Sequence, residues 1–349
     1  LYSPGQNDLK TGDQINLNKV KKEVIKIARD TNIPTLQLFI QTPGDSLKLN
    51  YNHPDVEAQS IYGIGSSTKL MASVLLFYLS EQGQINLQDD LGQYLDHEFT
   101  KQVQGIESLT IENLLNHTSG LADYTQNPSW ITSVINNNSP LTFDDKIALV
   151  DSSLSHSPSF AYSNTNYLLL ERIVEIITGR NYSDVFNQFY ADNGLENIRI
   201  QHDDQRLQAF FAMDDKASSD VSMWIENYGF DGGAYSTPDQ LNSFLKKLFI
   251  DKKLLSEKSL SLMQEWIPMA PMDIPIGEGK ISSYGNGIMK LEYGGKTYTG
   301  HSGGTLKYQS FLFYNDQSDT TIVLLTNSSG RYYNNVFFQE LIPAILDRL

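Results

Sequence analysis

A serine stands three positions before a lysine in GIGSSTKLMASVLLFYLSEQ, residues 63–82, where small residues give way to an apolar run. A hydroxyl is a weak nucleophile until a neighbour takes its proton, and an amine three residues later on a helix projects from the same face. Ser66 and Lys69 therefore pair a nucleophile with a proton acceptor. Among apolar neighbours Lys69 has two readings: a desolvated amine with a lowered pKa that acts as base, or an ammonium whose charge tunes another base. Gly63 and Gly65 permit close approach of the chain ahead of the helix. The helix N-terminus presents backbone N–H groups and a partial positive charge to an oxyanion. Taken alone the spacing is weak, because a capping serine and a lysine whose stem covers apolar surface give the same pattern.

Composition removes several other chemistries. The 349 residues carry a formal net charge of −15 and no cysteine, which excludes thiol catalysis, disulfides and thiolate metal sites. Acidity without clustered Lys and Arg argues against nucleic-acid binding. No stretch approaches the ~20 apolar residues of a membrane span; runs such as TIVLLTN, residues 321–327, read as buried strands. His53, His97, His117, His156, His202 and His301 are scattered without H-x-H or H-E-x-x-H spacing, so no metal site is expected. The G-x-S-x-G elbow of other serine hydrolases does not surround Ser66.

The elements that must position this chemistry are legible in part. Leu17, Val20, Val24 and Ile27 recur at helical spacing and predict a helix over about 16–30, ended before Pro34. TLQLFIQT (35–42) and DSLKLNYN (45–52) flank a Pro-Gly turn and predict a hairpin. From about 92 to 280, helical patterns are joined by loops rich in Asn, Ser and Asp. Strand signals return in GNGIMKLEYGGKTYTGHSGG, with Gly294-Gly295 as a hairpin turn, and in YQSFLFYNDQSDTTIVLLTN. Phe337, Leu341, Ile345 and Leu349 predict a terminal helix lying on the sheet, bent at Pro343. No repeat or low-complexity tract interrupts the chain. The expected fold class is α/β of the α+β type: an antiparallel sheet flanked by N- and C-terminal helices. Residues 1–91 and 281–349 form one lobe, residues 92–280 a mainly helical lobe inserted between the strands, and the active site lies in the cleft.

Further stretches extend the first motif. GSSTKLMASVLLFYLSEQGQINLQDDLGQYL is followed by LTIENLLNHTSGL (109–121), FAYSNTNYLLLERIVEIITGRNY (160–182), DGGAYSTPDQLNSFL (231–245) and GHSGG (300–304). In this order, from about residue 60 to 327, they resemble the serine β-lactamase and penicillin-binding-protein superfamily. The branch is that of class C β-lactamases, D-alanyl-D-alanine carboxypeptidases of the same type, D-aminopeptidases and related esterases. The resemblance implies the β-lactamase/transpeptidase-like fold and a set of roles. Ser66 attacks the carbonyl and carries the acyl group, Lys69 takes or steers its proton, and Tyr162 works as general base and then acid between Ser66 and the leaving group. Asn164 hydrogen-bonds Lys69 and the substrate amide. Gly303 and Gly304 lie on the substrate-binding strand, and the backbone N–H groups of Ser66 and Gly304 form the oxyanion hole. His117 reads as a structural ring tying down a loop, and Gly232-Gly233 as a tight turn beside the cleft. ENLLN (112–116) imitates a deacylation element of class A β-lactamases, but it precedes the Y-x-N segment and is taken as coincidence.

Two departures bear on substrate. His301 stands where β-lactamases have the lysine of K-T-G; an imidazole with an ordinary pKa near ~6.5 is mostly neutral at pH 7 and offers a hydrogen bond rather than a cation. Leu306-Lys307 replaces a frequent Pro-Gly, and Lys307 is expected to point to solvent. The expected activity is hydrolysis through an acyl-enzyme on a peptide or ester carbonyl. A D-alanyl-D-alanine carboxypeptidase leads, ahead of a promiscuous esterase, a weak β-lactamase and a non-hydrolytic penicillin-binding sensor. No cofactor is required, the partner is a small-molecule or peptide substrate, and the oligomeric state is open. The absence of cysteine, the opening at Leu1 and the resemblance give the expectation of a periplasmic or secreted bacterial protein.

Overall fold

The computed structural model describes residues 16–95, 105–136, 140–151, 159–200 and 207–349. Helix α1 (Leu17–Asp30) starts where the Asn16 side chain accepts from the Lys19 N–H, and it buries Val20, Val24 and Ala28. The expected hairpin follows as β1 (Thr35–Gln41) and β2 (Ser46–Asn52), in register from Thr35–Asn52 to Gln41–Ser46. Helix α2 (Thr68–Glu81) is buried nearly all round, which fits a helix packed inside the protein rather than on its surface. Helices α3 (Asn164–Thr178) and α4 (Pro238–Leu245) come from the middle of the chain, and α4 is capped by Thr237 with Pro238 in its first turn.

The second half of the sheet consists of β3 (Gly279–Tyr284), β4 (Met289–Tyr293), β5 (Lys296–Gly304), β6 (Gln309–Asn315) and β7 (Thr320–Thr326). The β4–β5 turn uses Gly294 and Gly295, both at positive φ, as a two-residue hairpin loop demands. Strand order is β2-β1-β7-β6-β5-β4-β3, with short strands Ile267–Pro268 and Ile274–Ile276 completing the edge against β3. Every pair in this sheet is antiparallel, and β1 against β7 joins the two ends of the chain, Leu38 facing Leu324.

Alternation divides the core between the two faces of the sheet. Leu38, Phe311, Phe313 and Leu324 pack on one side with α1 and the terminal helix. Phe39, Leu312, Val323 and Leu325 pack on the other with α2 and α4. Both faces are covered, so β1, β6 and β7 are buried along almost their whole length.

Two expectations change. The sheet begins before residue 281: the Ile267–Ile276 segment, broken by Pro268, Pro271 and Pro275, yields strands too short to show alternation. The terminal helix does not simply bend at Pro343. It is α-helical over Arg331–Val336, widens to a π turn over Phe337–Leu341 and returns to α over Ile342–Leu346. A proline has no N–H to give the preceding turn, and the wider turn absorbs that loss. Among the described residues no helix is long and apolar enough to cross a membrane.

Leu324 is fully buried between these layers. Leu324→Ala is expected to lower unfolding free energy by about 3 kcal/mol, read as a shifted denaturant midpoint at unchanged slope.

Candidate active site

Gly65–Ser67 form a tight 3-10 turn, and α2 proper starts only at Thr68, so Ser66 precedes the helix rather than riding on it. Gly65 has φ +51°, and a Cβ there would lie 2.9 Å from the Gly304 nitrogen. A Cβ on Gly303 would lie 2.1 Å from the Ile64 carbonyl oxygen and 2.7 Å from the Ser67 nitrogen. Only glycines let β5 touch this turn. Hydroxyls lock the contact: Ser310 Oγ donates to the Ile64 carbonyl (2.6 Å) and lies 2.7 Å from Ser67 Oγ. On the other side Ile64 N–H donates to the Ala234 carbonyl (2.9 Å), Ala234 N–H to Thr68 Oγ1 (3.1 Å), and Thr68 Oγ1 to the Gly65 carbonyl (2.7 Å). The turn is clamped from both flanks.

The Lys69 amine is fully buried and donates to Ser66 Oγ (3.2 Å), Asn164 Oδ1 (2.7 Å) and the Asp231 carbonyl. Burial pulls its pKa down to about 8, while the negative charges of Asp231, Asp123 and Glu171 resist that fall. Its neighbours are themselves held. Asn164 Nδ2 donates to Asp123 Oδ2 (3.0 Å) and Thr125 Oγ1 (3.2 Å). The Asp231 carboxylate accepts from Gly229 N–H (2.8 Å) and from the Tyr124 hydroxyl. Glu171 Oε1 accepts from Phe230 N–H at 2.6 Å, in space open only because residue 229 is glycine. Burial raises the Glu171 carboxyl, with the nearby Lys146 charge opposing.

Burial holds the Tyr162 phenol well above its ordinary range, with the nearby Ser66 hydroxyl opposing. The Lys69 nitrogen lies 5.0 Å from its ring centre. His117 backs that ring at 4.2 Å, and its Nδ1 accepts from Ser163 N–H (3.2 Å) and Asn166 Nδ2 (2.9 Å). The expected tying ring is thus what the structure has. Burial, then the Lys69 charge, keep both His117 and His301 neutral, His301 down to about 3. His301 requires a correction: its ring is fully buried, Nδ1–H donates to the Ser302 carbonyl (2.6 Å) and Nε2 accepts from the Tyr284 hydroxyl (3.0 Å). Both nitrogens are satisfied inside the protein, so the ring does not offer the expected hydrogen bond to a substrate.

Ser66 and Tyr162 open on a cavity of about 440 Å³. Gly303, Gly304 and Thr305 form one wall, and methionines much of the rest. Thr305 N–H donates to the Tyr308 carbonyl (2.9 Å). Bonded pairs alternate along an antiparallel ladder, so the Gly304 N–H points away from β6. On that side the β4 register has already run out at Met289–Gly300. The Ser66 N–H belongs to an opening turn whose first amides lack intrahelical acceptors. The arrangement can place an alcohol, an amine, a phenol and two amide donors around one carbonyl.

The sequence profile of the family described as Beta-lactamase matches residues 20–338. The chain belongs to that family. Among relatives of this beta-lactamase-family chain, Protein flp of Staphylococcus aureus (strain MW2) is 27% identical over 323 residues, covering 86% of the chain and 61% of the relative. Penicillin-binding protein 4* of Bacillus subtilis (strain 168) is 22% identical over 307 residues, covering 81% and 64%. The chain therefore spans about three fifths of the length of these relatives. In fold it is similar to D-stereospecific amidohydrolase from Streptomyces sp. (TM-score 0.78, 20% identity, 93% of this chain and 98% of that one). D-amino acid amidase from Ochrobactrum anthropi SV3 is similar too (TM-score 0.80, 18% identity, 95% and 98%).

Within this family member, Ser66, Lys69, Tyr162, Asn164, Gly303 and Gly304 come together, and His301 sits behind them. Asn164 holds Lys69 as expected, but both its N–H groups go to Asp123 and Thr125 rather than to a substrate amide. Lys307 is corrected outright: it is fully buried, and Nζ donates to the Ser222 (2.9 Å) and Trp224 (3.1 Å) carbonyls of an overlying loop. Glu112 accepts from Gln88 Nε2 (2.7 Å), outside the site. His97, His156 and His202 lie outside the described residues, among which no His, Asp or Glu group could hold a metal ion. Sequence reading missed Asp123, Glu171 and Asp231; for Asp123 and Asp231 the available signal was their place beside HTSGL and within DGG.

Two outcomes follow from this geometry. Gly303→Ala should push β5 off the turn and cut activity severely while far-ultraviolet circular dichroism stays native. The folded pKa of His301 lies below its unfolded value of ~6.5, so the unfolded chain binds the extra proton below that pH. Stability is therefore full above ~6.5 and falls as pH drops toward about 3. Between pH 7 and 5 wild type should lose about 2 kcal/mol more than His301→Gln, measured by denaturant titration.

Proposed function

We propose that the chain is a serine hydrolase forming an acyl-enzyme on Ser66, acting on uncharged ester or amide substrates. The hydrogen bond from a fully buried Lys69 amine to Ser66 Oγ carries this reading. With its pKa at about 8, Lys69 is the group closest to releasing a proton near neutrality, whereas Tyr162 remains a phenol. Lys69 in its neutral fraction takes the Ser66 proton as Oγ bonds to the carbonyl carbon. The Ser66 and Gly304 amides receive the charge on the carbonyl oxygen. Collapse breaks the bond to the leaving group, which takes that proton through the Tyr162 hydroxyl. Water then repeats the sequence on the acyl-enzyme, frees the acid and restores Ser66.

The carboxypeptidase expectation needs a cation facing a terminal carboxylate. None of the described residues lining the cavity is cationic, and Lys307 and His301 are committed elsewhere. Neutral esters and amides are therefore ranked first, ahead of D-Ala-D-Ala peptides and cephalosporins.

The test combines a fluorophosphonate label, a substrate panel and a pH profile. Ser66→Ala should abolish labelling, and Tyr162→Phe should slow acylation by about 10²–10⁴ while the fold survives. Because the base acts unprotonated, kcat/KM for a nitrophenyl ester should rise with pH and level off above about 8. Lys69→Arg should not acylate. A profile that declines above pH 8 would assign Lys69 the ammonium role instead, and faster turnover of a D-Ala-D-Ala peptide than of any ester would overturn the substrate ranking.

A further inference from the structure

Residues 160–163 belong to no helix or strand, so neither a ladder nor a helical turn fixes Tyr162 ahead of α3. His117 takes their place. Its carbonyl accepts from Ala161 N–H (2.9 Å) and its Nδ1 from Ser163 N–H (3.2 Å), so the amides on both sides of Tyr162 end on one residue. Between those two bonds the imidazole lies against the phenol ring, with centres 4.2 Å apart and planes 33° from parallel. A backbone N–H can only donate, so Nδ1 carries the lone pair and the ring proton sits on Nε2. Asn166 Nδ2 brings Nδ1 a second donor (2.9 Å), and Asn166 Oδ1 is held in turn by Ser119 Oγ (2.5 Å). Two features of His117 cost energy. Its backbone is left-handed, with φ +59°, and its buried Nε2 has no hydrogen-bond partner among the described residues. Such costs persist where a site needs the geometry they permit.

Resting on the acyl-enzyme reading, we infer that His117 is the positioning residue that aims the Tyr162 hydroxyl at the leaving group. It thereby sets which substrates can be cleaved. As the bond from the carbonyl carbon to the leaving group breaks, the departing oxygen or nitrogen takes the Tyr162 proton. The phenolate regains one from Lys69, which received it from Ser66. Nitrophenolate departs with little help from that proton, whereas a phenol, an alcohol or an amine needs it. A phenol ring left free to tilt therefore costs little on activated esters and much on the rest.

The experiment compares kcat/KM for the nitrophenyl and phenyl esters of one acid, which pass through a common acyl-enzyme. His117→Phe keeps a ring and removes the Nδ1 acceptor; His117→Asn keeps an acceptor, suits the left-handed backbone and removes the ring. In each, the nitrophenyl-to-phenyl ratio should rise roughly tenfold over wild type. In a Tyr162→Phe background, His117→Phe should add nothing to that ratio. Both esters are assayed on one sample, so partial unfolding lowers the two rates alike and leaves their ratio intact. A rise in either variant that vanishes in Tyr162→Phe upholds the inference. A ratio unchanged in both variants, or a rise undiminished in Tyr162→Phe, overturns it while fluorophosphonate labelling of Ser66 upholds the hydrolase reading. Absence of both labelling and ester turnover in wild type removes the hydrolase reading, and this inference falls with it.

Discussion

A primary amine sealed inside the protein is the constraint around which the site is organised. An ammonium removed from water loses several kcal/mol of solvation unless each N–H finds an acceptor. Lys69 finds three, and they come from three different parts of the chain: Ser66 in the turn before its own helix, Asn164 at the start of α3, and the Asp231 carbonyl. Each acceptor is then fixed by a further layer, Asp123 and Thr125 behind Asn164, Tyr124 and Glu171 behind the 229–231 segment. The middle of the chain is thus folded to hold one nitrogen at one distance from one oxygen. Nearby carboxylates moderate the penalty without pairing with it directly, which leaves the amine near its tipping point.

The opposite wall depends on missing atoms. Gly63, Gly65 and Gly303 let the ring of Tyr308, the strand β5 and the turn at Ser66 meet at distances that a side chain would block. A Cβ on Gly63 would stand 2.6 Å from the Tyr308 ring. Oxyanion donors work only when placed to within a fraction of an ångström. Direct backbone contact between turn and strand, reinforced by the hydroxyls of Ser67 and Ser310, supplies that rigidity without intervening flexible groups.

Much of this was legible in the sequence, because strong local patterns coincide with long elements. The hairpin at 35–52 and the glycine turn at 294–295 follow from periodicity and turn chemistry alone. Ser66 and Lys69 followed from their spacing, and Tyr162 and Asn164 from the family resemblance carried by the YSN segment. The burial of Lys307 was invisible because its acceptors are carbonyls of a loop some 80 residues earlier, and backbone acceptors leave no residue-type signature. His301 was misread for a similar reason: the identity of an imidazole does not say which way a strand faces it, and the Tyr284 hydroxyl that donates to it belongs to β3, the next strand but one. Glu171 acts through the Phe230 amide, so no spacing rule points to it, whereas Asp123 and Asp231 were marked only by their place beside HTSGL and within DGG.

The hydrogen bond from Ser310 to the Ile64 carbonyl spans 246 positions along the chain. Contacts that remote form late, since the intervening loop entropy must be overcome first. During synthesis the ribosome has released the serine, its lysine and the whole central segment before β5 and β6 emerge. Until then the nucleophile has no strand beside it and nowhere for a carbonyl oxygen to settle. The surroundings of Ser66 are therefore complete only after β5 and β6 have left the tunnel, long after the serine itself.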